Sequence, residues 1–197
     1  MQIDTEHLHY WMQAIRDSDD PYRVLDAFWA GQIKSKEWLI ENLRLYIDKE
    51  VTVDIHGGWV GVLASMLFQS SISIKSIRSI DLDSTCESIA IMMNKGEEIK
   101  GKFSAITADM CSIESNADVI INTSCEHITQ DQYTQWLDKV PKKSLLVLQS
   151  NNYNIPEHVR MAESLEHFKT QSCLTKVLWE GELGLPIYKR FMVIGHV

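Results

Sequence analysis

Cations are scarce in this chain. Against 27 Asp and Glu stand 19 Lys and Arg, a formal net charge of −8 over 197 residues. Phosphate backbones and anionic bilayers recruit cationic surfaces, so neither nucleic-acid coating nor membrane-surface binding is expected. Cysteine is sparse too. The four thiols, at 86, 111, 125 and 173, include no CxxC pair, and a chain of this size needs no disulfide staples, so reduced thiols and a cytoplasmic location are expected. No run of about 18 uncharged apolar residues is present, which excludes a membrane-spanning helix. The opening MQIDTEHLHY lacks the basic and apolar regions of a secretory signal. Four Pro and nine Gly form no linker tract, and the 45% hydrophobic content suits one soluble globular body with a sizeable core.

The pattern divides at residue 50. Residues 1–50 read as three aromatic-rich helices forming a cap. Leu8, Trp11, Met12 and Ile15 share one helical face. Asp20-Pro21 marks a helix start, with Gly31 as its stop, and Ser35 reads as the cap of a third helix. Residues 51–197 alternate strand and helix. VTVDI (51–55), SIRSIDLD (76–83), FSAITAD (103–109), ADVIINT (117–123) and SLLVLQS (144–150) read as strands. Ser84 with Glu87 and Thr129 with Gln132 form capping boxes, Asp83 is left as a capping residue, and Pro156 opens a helix toward Lys169. Two tail strands joined around Gly184-Leu185-Pro186 are too close for a crossover and must pair antiparallel. The whole implies an α/β, mostly parallel sheet covered on both faces, with a C-terminal antiparallel hairpin.

Acids recur at the strand ends. Asp54, Asp81 and Asp109 are spaced by 27 and 28 residues, one βαβ unit each. Ligands of open α/β sheets bind beyond the carboxyl ends of the strands. There the segment Asp54-Ile55-His56-Gly57-Gly58-Trp59-Val60-Gly61 makes a glycine turn, in which Gly58 allows close backbone approach and Gly61 close helix packing. Asp81 is placed to accept both hydroxyls of a ribose, and Asp109 to meet the amino group of a base. By itself, the turn is also what any tight strand-to-helix connection would show.

Taken together, these segments resemble the class I methyltransferases that use S-adenosylmethionine. DIHGGWVG (54–61) is similar to their first motif, IDLD (80–83) to the second, TADM (107–110) to the third and ADVIINTSCEHI (117–128) to the fourth, while RFMVIG (190–195) resembles part of their antiparallel ending. The resemblance implies a Rossmann-like, three-layer sheet of seven strands and S-adenosylmethionine as cofactor. It implies that Asp54 orients the methionine end, that Gly57, Gly58 and Gly61 shape the turn, that Asp81 holds the ribose, and that Asp109 with Met110 meets the adenine. His56, where the family carries glycine, is expected to crowd the methionine end.

The loop after the fourth strand should face the transferable methyl. Asn122 lies there without the Pro-Pro that accompanies it in enzymes methylating exocyclic amino groups. His127 is the favoured base, with Glu126 orienting it or binding a cationic acceptor, since imidazole has a suitable unperturbed pKa. Cys125 reads as a packed thiol. Asn151 and Tyr153, with Tyr10 from the cap, are candidate acceptor contacts. His7 and His9 would splay by about 200° on a helix, and no other His, Cys or Asp set shows metal spacing in sequence, so no metal is expected. The activity implied is methyl transfer to a small polar acceptor. The alternatives are aminoalkyl transfer from the same cofactor or its binding without turnover, a nicotinamide-dependent dehydrogenase, and a non-catalytic interaction protein.

Overall fold

The computed structural model describes residues 5–197. Seven strands form one sheet in the order β3-β2-β1-β4-β5-β7-β6. They are β1 (Val51–His56), β2 (Ile74–Asp81), β3 (Phe103–Thr107), β4 (Val119–Asn122), β5 (Leu145–Asn151), β6 (Lys176–Gly184) and β7 (Lys189–His196). β1 to β5 run parallel, and β7 inserts antiparallel between β5 and β6. That insertion separates this sheet from the 3-2-1-4-5-6 order of dinucleotide-binding dehydrogenases.

Period-two burial builds the two core layers. In β4, Val119 and Ile121 face one side with Val53, Ile55 and Val147, and Ile120 faces the other with Leu146 and Leu148. The first side is covered by α3 (Ala30–Leu43), α4 (Val62–Phe68) and α5 (Ser84–Met93), through Leu39, Leu43, Leu63, Leu67 and Ala90, and the short α6 (Lys95–Ile99) follows α5. The second is covered by α7 (Gln130–Leu137) and α8 (Leu165–Ser172), through Tyr133, Trp136 and Phe168.

The N-terminal helices α1 (Thr5–Arg16) and α2 (Pro21–Asp26) pack at the α4–α5 end. Trp11, Val24 and Ala27 bury with Val62, Met66 and Met93, and the Trp11 indole N–H donates to Ser65 at 3.0 Å. The helices of the 1–50 segment therefore share their cores with 51–197. Residues 1–4 lie outside the described residues.

Several local expectations change. Leu8 and Met12 are exposed, and the buried face of α1 is Trp11 and Ala14. Gly31 and Ser35 sit inside α3 rather than at its ends, because α3 already starts at Ala30 and Ser35 turns inward to donate to Gln149 at 3.0 Å. Asp83, not Ser84, caps α5, accepting from the Thr85 N–H. Glu87 is drawn away to the Thr107 amide. The Thr129–Gln132 box is present as expected. Pro156 opens no helix. α8 begins only after Ser164, whose hydroxyl accepts from the His167 N–H. The stretch between is an ordered loop held by Arg160.

Candidate active site

A cavity of about 640 Å³ opens at the carboxyl edge of the sheet, where β1 and β4 lie side by side and their connections depart to opposite ends of the sheet. This is the topological switch point, and the volume is in the range of small-ligand pockets, ~300–1,000 Å³. Gly57, Gly58, Asp81, Asp109, Met110, Glu126 and His127 all line it.

One end of the cavity is fixed by the turn after β1. Asp81, the last residue of β2, accepts from the Trp59 N–H at 2.7 Å with Oδ2 and from the Asp83 N–H at 3.0 Å with Oδ1. Both oxygens are thereby held in place, and each keeps a further lone pair for a ligand hydroxyl. Gly58 is required for a reason different from the one expected. A Cβ there would lie 1.9 Å from Ser79 Oγ, so the close approach is to β2. Gly61 adopts φ +80° at the start of α4, and a Cβ would press on Ala90 of α5. Asp109 Oδ1 accepts from the Cys111 N–H at 2.8 Å.

Asp54 does not reach the cavity. β1 continues two residues past it, which leaves its carboxylate mid-strand, in register with Arg78. There it is bound by the Arg78 guanidinium and by Ser115 Oγ at 2.5 Å. It ties β1 to β2 and to the segment before β4. His56 does not crowd the pocket either. Its ring turns under the sheet onto Trp136, whose indole N–H donates to Nδ1 at 2.7 Å. Tyr10 is also remote from the cavity, lying over Gly96 with its hydroxyl toward Glu6.

Burial lowers the His56 pKa from 6.5 to about 4, against the raising effect of Asp54. The fold therefore prefers the neutral ring. The unfolded chain takes up a proton first as pH falls, so stability from this group is complete above pH 6.5 and is lost toward pH 4. At 1.36 kcal/mol per unit the loss is on the order of 3 kcal/mol. Urea unfolding at pH 7 and pH 5 should show this acid limb in the wild type and a flatter one in His56→Gln.

At the other end, the turn Cys125–His127 follows β4. Glu126 is only 2% exposed. Its Oε1 accepts from Asn151 Nδ2 at 2.5 Å and lies 3.6 Å from Arg190, while Oε2 has no partner. Asn151 thus positions Glu126 rather than lining the cavity. Asn122 acts similarly. Its amide reaches the Met110 sulfur at 3.5 Å, and its Oδ1 accepts from the Ser124 N–H. Tyr153 is 38% exposed beside Tyr188 and His158, outside the cavity wall. Burial pushes the Cys125 thiol up to about 12, which leaves it inert as a nucleophile.

Sequence reasoning missed Lys36 and Arg190, both in the wall. Burial, then Arg190, lowers the Lys36 pKa to about 7. A signal was present for each. Lys36 precedes Leu39 and Leu43 on the inward stripe of α3, and Arg190 opens the apolar run RFMVIG. Arg23 is another wall residue, clamped to Asp83 at 2.5 Å.

No protein-family model and no curated protein sequence matches the chain. Solved structures do. The magnesium protoporphyrin IX methyltransferase ChlM of Synechocystis PCC 6803, with bound SAH, aligns over 96% of this chain and 93% of its own at TM-score 0.65 and 12% identity. The fold is that of the class I S-adenosylmethionine-dependent methyltransferases. A small RNA methyltransferase aligns over 82% of this chain but only 25% of its own, at TM-score 0.66 and 16% identity. MtNAS in complex with MTA and tNA aligns over 97% of this chain and 70% of its own, at TM-score 0.64 and 11% identity. Among the described residues, no helix is long and apolar enough to cross a membrane.

Proposed function

We propose that the chain binds S-adenosylmethionine and transfers its methyl group to a small polar acceptor. The observation that carries this reading is the Asp81 carboxylate, locked by two backbone amides at the tip of β2, in a cavity that runs on to Glu126 and His127. The donor set fits the cofactor. Asp81 would take the ribose hydroxyls, Asp109 the adenine amino group and Met110 the ring face, and Gly57 and Gly58 would leave room for the methionine arm. Bound there, the cofactor would supply an electrophilic methyl group for an acceptor lone pair.

The chain's own groups then position the acceptor and take its proton. His127 Nδ1 lies 3.3 Å from the Glu157 carbonyl. A carbonyl only accepts, so in the neutral ring Nδ1 carries the hydrogen and Nε2 the free lone pair. Glu126 beside Arg190 offers both charges at the acceptor end, suited to a polar molecule. Positioning supplies much of the rate.

Incubation with methyl-labelled S-adenosylmethionine and the small-molecule fraction of a cell extract should give a labelled product. Release of 5′-methylthioadenosine instead would mean aminoalkyl transfer. Binding with neither product would make the protein a cofactor-binding module.

A further inference from the structure

The acceptor end brings His158, 31 residues further along the chain, to the adjacent Glu126 and His127. One ring nitrogen of His127, one of His158 and one carboxylate oxygen of Glu126 all lie within 4.8 Å of one another. We propose that Glu126, His127 and His158 form a divalent transition-metal site whose open positions hold an acceptor oxygen. Its catalytic role rests on the methyl-transfer reading, whereas its ability to bind metal does not.

The hydrogen bonds around the rings favour ligation. His158 Nδ1 is 2.6 Å from the Tyr153 carbonyl, and His127 Nδ1 is 3.3 Å from that of Glu157. Both contacts call for Nδ1–H, so in the neutral rings Nε2 is the atom with the free lone pair. This is the arrangement by which backbone carbonyls orient metal-binding histidines. The rings meet edge to face, with centroids 4.8 Å apart and an 80° interplanar angle, so they do not stack. The buried Glu126 then supplies an independent indication. Oε1 is occupied by Asn151 and Arg190, but Oε2 has no partner. A buried carboxylate oxygen left unpaired is costly, and a cation would satisfy it.

The cluster is built by deliberate long-range contacts. Arg160, buried against Tyr133, donates to the Cys125 carbonyl at 2.8 Å, and its own backbone N–H donates to the Glu126 carbonyl at 3.0 Å. These bonds fasten the 152–163 loop to the turn after β4 and bring His158 to His127. A tetrahedral ion with ligands at about 2.1 Å needs ligand atoms about 3.4 Å apart. The cluster must therefore close by about 1.4 Å, within reach of rotation by the exposed His127 and the half-buried His158.

Two imidazoles and one carboxylate make a borderline donor set. It suits Zn²⁺, Mn²⁺, Fe²⁺ or Co²⁺ better than Ca²⁺ or Mg²⁺. Three protein ligands leave positions free, as in catalytic rather than structural sites. Glu126 and His127 line the cavity, so those positions lie beside the acceptor. The ligand class is then a hydroxyl or a vicinal diol, whose proton the ion makes easier to remove.

The test is titration of the full chain, stripped by chelator, with Co²⁺ and Zn²⁺, following Co²⁺ absorption and calorimetric heats. S-adenosylhomocysteine affinity is measured on the same samples. One equivalent should bind to the wild type, more weakly by at least about tenfold in His158→Ala and in His127→Ala. His167→Ala, outside the cluster, should bind like the wild type. S-adenosylhomocysteine affinity should survive in every variant, which also shows that each is folded. Absence of stoichiometric metal binding, or binding indifferent to both cluster substitutions, overturns the site even if S-adenosylhomocysteine binds. Metal binding without S-adenosylhomocysteine binding would uphold the site and remove the methyl-transfer reading.

Discussion

His127→Ala is expected to keep its affinity for S-adenosylhomocysteine and to lose about 10²–10⁴ in turnover, the usual share of a positioned acid–base group. The residue is exposed in a short turn, so the substitution opens no core void. It lines the cavity at the end away from Asp81, so the contacts proposed for the nucleoside would remain. The measurement is methyl-label transfer under saturating cofactor, with calorimetry beside it. Full turnover would reduce His127 to a wall residue and leave proximity as the catalytic contribution. His158 lies outside the wall, so a base acting alone predicts no effect from replacing it. Loss of turnover in both variants belongs to shared metal ligation.

Asp81→Ala should weaken S-adenosylhomocysteine binding by about 1.5–3 kcal/mol, the range for hydrogen bonds to a charged group, or roughly 10–150-fold. The substitution would remove more than the two ribose contacts proposed for Asp81. It also releases the Trp59 and Asp83 amides, and Trp59 is held at φ +48°, a conformation that needs support. Asp81→Asn separates the effects, because its carbonyl oxygen can still hold one amide while the charge is lost. Unchanged affinity in folded Asp81→Ala would remove the ribose assignment.

The architecture was legible because strand burial and turn chemistry are local. Val119-Ile120-Ile121 announces a two-sided strand, and Thr129-Gln132 announces a helix start, wherever the chain goes next. The site was legible only in part. Asp54 and Asp81 look alike in sequence, yet one lies two residues inside its strand and the other at its tip. That difference is one of register, and register is decided by the neighbouring strand, here by Arg78 beside Asp54. The loop before α8 was misread for a related reason. Pro156 satisfies the local rule for a helix start, but the residues after it are claimed by contacts with the turn after β4, through Arg160. His158 owes its place to those contacts, and its proximity to His127 could not be read from a spacing of 31 residues.

The insertion of β7 between β5 and β6 also governs how the chain can assemble as it leaves the ribosome. β5 is apolar over Leu145–Leu148 and buried along its whole length. One edge pairs with β4 as soon as both exist, but the other waits for residues 189–196, synthesised some forty residues later. Until then the nascent sheet presents an open, hydrophobic edge, the kind that recruits strands from other chains. Truncation within β7 would therefore do more than remove Arg190 from the cavity. It would leave that edge permanently unpaired, and loss of soluble protein would precede any loss of ligand binding.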